Sequence, residues 1–125
     1  MSRIECFEDL IAWQKARELT TLIYKLTRKQ DFARDFGLSS QIQRSAVSVM
    51  ANIAEGFERF GKAEFHQFLS VAKSSCAEVR SHLYVALDIG YLSEKEFTEA
   101  TELASATARI VGKLRSSVKA LKSTS

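Results

Sequence analysis

One segment of the sequence carries more apolar surface than a single neighbouring helix can cover. Residues 38–59 have the sequence LSSQIQRSAVSVMANIAEGFER, whose periodicity predicts a helix. Its apolar residues extend past half of the helix circumference; they are Leu38, Ile42, Val47, Val49, Met50, Ala51, Ile53, Ala54 and Phe57. A helix that is apolar nearly all round is buried on more than one side. We therefore expect this segment to pack within its own subunit and against a second subunit.

The composition is that of a helical globular protein. The 125 residues include no Pro and only five Gly, which favours long uninterrupted helices. We expect a single domain, residues 1–125, with an apolar core. The sequence has no apolar run long enough to span a membrane and no signal-peptide pattern. Because Cys6 and Cys76 lack the spacing of metal ligands, they are interpreted as reduced thiols of a cytoplasmic protein.

Apolar residues that recur every three or four positions predict four amphipathic helices. Their approximate ranges are residues 7–28, 39–59, 62–89 and 93–121. No segment shows the alternation typical of a strand. Four such helices joined by short connections predict an all-α fold, an antiparallel up-down four-helix bundle.

Specific residues mark the ends and connections of these helices. We expect Ser39 or Ser40 to cap the second helix. Ser40 and Ser93 each stand three residues before a Gln or Glu, which is the spacing of a capping box. The connection at residues 30–37 contains Phe32 and Phe36, and we expect both rings to pack on one end of the bundle.

The residues that usually carry catalysis do not form a known pattern. His66 and His82 are the only histidines, and no Glu-x-x-His pair, zinc-protease pair, phosphate-binding loop or nucleophile elbow is present. Cys76 lies on the apolar stripe of its helix, where a buried and inert thiol is expected. The sequence therefore predicts a non-enzymatic protein without a metal or another cofactor.

Asn52 and Glu55 lie one turn apart on the second predicted helix. One interpretation is a buried polar pair that fixes helix register and assembly, with Arg44, Arg59 or Arg80 as the partner of Glu55. The other is a small polar binding site. The first is favoured, and the candidate assembly residues are Asn52, Glu55, Gly56 and Arg59.

The last predicted helix is acidic in its first part and basic in its second. Residues 94–102 contain four Glu, whereas the later basic residues are Arg109, Lys113, Arg115, Lys119 and Lys122. Basic residues of the first helix could extend this surface; they are Lys15, Arg17, Lys25, Arg28 and Lys29. Two interpretations stay open: a solvated face, or a surface that contacts the phosphates of RNA or DNA.

Several segments resemble a known protein family. Residues 52–56, Asn-Ile-Ala-Glu-Gly, together with Arg59 and the Gly-Tyr-Leu at 90–92, resemble the four-helix-bundle proteins encoded in 23S rRNA intervening sequences. The resemblance implies an antiparallel bundle that assembles as a ring of five. It also relates the chain to the accessory variability protein of diversity-generating retroelements, a basic pentameric barrel that binds nucleic acid and the reverse transcriptase.

Together these features predict a homopentamer that binds RNA or other nucleic acid through a basic surface. The alternative is a structural scaffold whose ring presents surfaces to a protein partner. Neither interpretation involves a membrane.

Overall fold

The structure is a computed structural model that describes residues 4–59 and 61–123, with side chains up to residue 118. All regular elements in this part of the chain are helical. They are a 3-10 helix at Phe7–Asp9, α1 at Ile11–Thr27, α2 at Gln30–Arg34, α3 at Phe36–Phe57, α4 at Lys62–Ile89 and α5 at Glu94–Ser123. The all-α prediction is confirmed for the described residues, with one short helix, α2, more than expected.

The four long helices form a closed cycle of neighbours. α3 contacts α1 and α4, and α5 contacts α4 and α1, so that α1 and α4 lie diagonally across the bundle. Neighbouring helices run antiparallel: Ser48 of α3 meets Ser75 of α4, whereas Gly56 approaches Phe68. The connections between successive long helices are therefore short, as in an up-down bundle.

The apolar core follows the predicted stripes. Ile42, Val49 and Ile53 of α3 are fully buried, and they belong to two apolar clusters that together run along the bundle. Val47, by contrast, is 40% exposed, and Ala51 is also exposed. Part of the apolar excess of α3 therefore has no partner within the described subunit.

The predicted helix ends are partly correct. α3 begins at Phe36 rather than near residue 39, because Asp35 caps it and accepts a 3.1 Å hydrogen bond from the backbone N–H of Leu38. The prediction of a cap at Ser39 or Ser40 was wrong, since both residues lie inside the helix. At the start of α5, Ser93 forms the predicted capping box with Glu96.

The connection at residues 30–37 differs from the expectation in one aromatic residue. Phe32 is 1% exposed and stacks on Tyr91 at a ring distance of 5.2 Å, as expected for a residue that covers the bundle end. Phe36 is 79% exposed, so the prediction that its ring packs there was wrong. Tyr91 also donates a 2.9 Å hydrogen bond to Asp35, which ties the end of α4 to the cap of α3.

We expect Ile53→Asp to abolish the cooperative fold, because it places a carboxylate without a partner in the fully buried core. The cost should be about 4 kcal/mol or more. Gln41→Asp introduces the same group at an exposed position of the same helix and serves as the control. Urea unfolding followed by circular dichroism measures both, and equal midpoints for the two variants would contradict the placement of α3.

Candidate functional site

Basic side chains from two helices line an open groove between α4 and α5. Its volume is about 940 Å³. The predicted residues Arg109, Lys113 and Arg115 of α5 lie along it, and α4 adds Lys73 and Arg80. Its remaining lining consists of small or hydroxyl-bearing residues: Ser105, Ala108, Gly112, Ser116 and Ser117. Among the described residues that line this α4–α5 groove there is no Asp or Glu, so its local potential is positive.

Contacts across the groove hold some of these cations in place. Arg115 donates a 3.4 Å hydrogen bond to the hydroxyl of Ser70 on α4. A Cβ placed on Gly112 would lie 3.5 Å from Cε of Lys73, so the stem of this lysine lies beside the backbone of α5. Because Gly112 has no side chain, this position of α5 does not fill the groove.

The charge of the groove is not compensated within the described side chains, residues 4–59 and 61–118. None of its five cations forms an ion pair there, whereas Lys15 pairs with Glu18 and Lys29 with Glu96. The groove residues can therefore interact with an anion without first breaking an ion pair seen in the subunit.

The expected extension of the basic surface onto α1 is not found. Arg17, Lys25 and Arg28 line a separate groove that includes Met50 of α3. Because α1 and α4 are diagonal, the α1–α3 seam lies on the side of the bundle opposite the α4–α5 groove. The side chains of Lys119 and Lys122, which were also predicted for the basic surface, lie outside the described residues.

Lys73 and Arg80 were missed in the sequence. They lie seven residues apart on one helix and so share a face, but neither belongs to a run of basic residues. Only the register between α4 and α5 brings them beside Arg109 and Lys113. The seven-residue spacing of Lys73 and Arg80 was the available signal in the sequence. It indicated a basic groove only once the position of α5 beside α4 was known.

The candidate assembly residues make contacts within the subunit. Asn52 donates to the backbone carbonyl and the hydroxyl of Ser48 at 2.8 and 2.9 Å, and Ser48 is hydrogen-bonded to Ser75 at 2.9 Å. Asn52 thus belongs to a polar link between α3 and α4. Glu55 is exposed and pairs with Arg59 at 3.3 Å, so Asn52 and Glu55 have separate partners.

Gly56 allows the close approach of α3 and α4. A Cβ at this position would lie 2.6 Å from the Cβ of Phe68, closer than such atoms pack, and at a tight 3.0 Å from Cδ1 of Phe65. The guanidinium of Arg59 lies 5.2 Å from the centre of the Phe68 ring, a cation–π contact at the same crossing. The motif that contains Gly56 and Arg59 therefore has a packing role inside the subunit.

The other reactive groups do not converge on a site. Cys76 is buried, and burial raises the pKa of its thiol to about 11, which keeps it protonated at neutral pH. Within residues 4–59 and 61–123, no group of three or more His, Cys, Asp or Glu side chains could hold a metal ion. In the same part of the chain, no helix combines the length and apolarity needed to cross a membrane.

The sequence defines the family. The sequence model of the 23S rRNA-intervening sequence protein family matches residues 8–113, and the chain belongs to this family. A structure of similar fold is a protein of unknown function from the S23 ribosomal protein family of Bacteroides thetaiotaomicron. It is 19% identical, with a TM-score of 0.78 over 85% of this chain and 96% of that chain. A comparison with curated proteins finds no match.

We expect Gly56→Ala to destabilise the fold by about 1–3 kcal/mol, because the new methyl group overlaps Phe68. Gly112→Ala is the matched control, since its methyl group meets only the flexible end of Lys73 at 3.5 Å. The control should gain about 0.5–1 kcal/mol from helix propensity. Thermal or urea unfolding measures both changes, and a stabilising Gly56→Ala would show that the helices do not cross this closely.

Proposed function

We propose that the protein binds RNA or DNA by holding phosphate groups in the α4–α5 groove. The observation that carries this proposal is the convergence of five cations from two helices without a carboxylate in the described lining. Arg80, Arg109 and Arg115 offer planar guanidinium groups that suit phosphate oxygens, and the serine hydroxyls of the groove can donate further hydrogen bonds. No catalytic step is part of this proposal.

We also propose that the protein acts as a homo-oligomer, a ring of five as the family resemblance implies. Support comes from exposed apolar residues along the α3–α4 seam, namely Val47 and Ala51 of α3 and Val71 of α4. The contact between Ser48 and Ser75 places Ala51 and Val71 at the same level of this seam, because the helices run antiparallel. A ring repeats the groove in every subunit, so a long polyanion could contact several copies at once.

Light scattering after size-exclusion chromatography tests the assembly. The expected mass is five times the 14.0 kDa of the chain. A mass of one subunit at micromolar concentration would overturn the oligomer, while the groove within one subunit would still be available for binding.

Binding should weaken when the groove charge is reversed. The experiment titrates labelled single-stranded RNA and DNA against the wild type and Lys73→Glu/Arg80→Glu, with fluorescence anisotropy at rising salt. If both residues contact phosphates, the variant should lose at least about tenfold in affinity, and the slope of log K against log salt should become about 1.4 units less negative. Both residues are exposed on α4, so the fold should be retained.

Arg17→Glu/Lys25→Glu is the matched control for this experiment. It makes the same change in net charge on the opposite side of the bundle and should retain most of the affinity. An equal loss in both variants would assign the effect to overall charge rather than to the groove. A wild type that binds neither RNA nor DNA at about 50 mM salt would reject the proposal and favour a protein-interaction scaffold.

A further inference from the structure

An exposed tyrosine continues the line of basic residues on α4. Tyr84 is 54% exposed and follows Arg80 by four residues and Lys73 by eleven within one unbroken helix. At 3.6 residues per turn these spacings place all three side chains on the same face. Tyr84 lies about 6 Å beyond Arg80 along the helix axis, since each residue adds about 1.5 Å.

A second aromatic residue fixes Tyr84 at the seam that forms the groove. Its ring meets the ring of Phe97 on α5 edge to face, with centroids 4.8 Å apart and an interplanar angle of 61°. Phe97 itself is half-buried and packs against the apolar core. Tyr84 therefore spans the α4–α5 seam with a supported ring, while more than half of its surface faces solvent.

Tyr84 supplies a flat apolar surface, which the groove itself lacks. The described lining of the groove consists of cations, serines, an alanine and a glycine, which suit phosphates and offer no flat apolar surface to a base. Aromatic rings beside a basic track are the usual platform for bases of single strands. In a duplex the faces of the bases are already stacked on one another, so only an unpaired base could use such a platform.

Acidic residues limit where the phosphates can lie. Glu94, Glu99 and Glu102 outnumber Lys95 on the surface at the beginning of α5, the same part of the helix that contains Phe97. These carboxylates repel a phosphate chain, so the favourable track for phosphates ends near Tyr84. A neutral base has no such penalty at this position.

We propose that Tyr84 stacks on an unpaired base of a nucleic-acid strand whose phosphates occupy the α4–α5 groove. This inference rests on the proposed function and names its ligand class as single-stranded RNA or DNA. Binding should tolerate many sequences, because every base has a face that can stack.

The test compares a labelled oligothymidylate with an abasic deoxyribose-phosphate strand of the same length and with a duplex. Tyr84→Ala should weaken binding to the oligothymidylate by about 5- to 100-fold and leave the abasic strand unaffected. Tyr84→Phe keeps the ring and should bind like the wild type. Tyr84→Leu preserves an apolar contact with Phe97 without a ring, so it should fold normally and bind as weakly as Tyr84→Ala.

Each outcome separates this inference from the proposed function. If Tyr84→Leu binds the oligothymidylate as tightly as the wild type does, stacking is rejected, whereas loss of binding by Lys73→Glu/Arg80→Glu would still support the groove. A wild type that prefers the duplex, or binds the abasic strand equally well, also rejects stacking. If the wild type binds none of the three probes and no single-stranded RNA either, the groove proposal fails and the stacking proposal fails with it.

Discussion

The close approach of α3 and α4 at Gly56 is the contact on which the rest of the structure depends. Because Gly56 has no side chain, the backbone of α3 comes near the Cβ of Phe68. The hydrogen-bonded link through Asn52, Ser48 and Ser75 fixes the register along the same seam. α4 is one of the two long helices that contact both α3 and α5, so its position relative to α3 also decides which of its residues face α5. The placement of Lys73 and Arg80 in the groove follows from this position of α4.

Charge is distributed unevenly over the described surface. At one end of the bundle Lys29 pairs with Glu96, and the Lys29 ammonium, together with the backbone N–H of Ser93, holds the pKa of Glu96 below its usual value. The groove residues have no such partners among the described side chains. Exposed like charges cost little individually in water, and a polyanion that enters the groove gains their attraction without competing ion pairs. The difference distinguishes a surface that stabilises the subunit from one that can recognise a ligand.

The helices themselves could be predicted from the sequence, because apolar residues at helical spacing determine which faces are buried. It was harder to predict which of several nearby residues caps a helix. Asp35 caps α3 ahead of Ser40, and Phe36 then lies on an exposed face of the helix. The α5 half of the groove could be predicted from a run of basic residues. Lys73, Arg80 and Tyr84 could be assigned to the site only from the register of α4 against α5. The apolar excess of α3 predicted that one subunit would leave part of its apolar surface uncovered. The exposure of Val47 agrees with that expectation.

Photo-crosslinking tests most directly whether the α4–α5 groove is the functional surface. A single strand that carries 4-thiouridine is bound to the wild-type protein at low salt and irradiated, and the cross-linked peptides are identified by mass spectrometry. Binding in the α4–α5 groove predicts cross-links within Lys62–Ile89 and within the described part of α5, including the peptide that contains Tyr84. Cross-links confined to α1 and its seam with α3, where Arg17 and Lys25 lie, would contradict it.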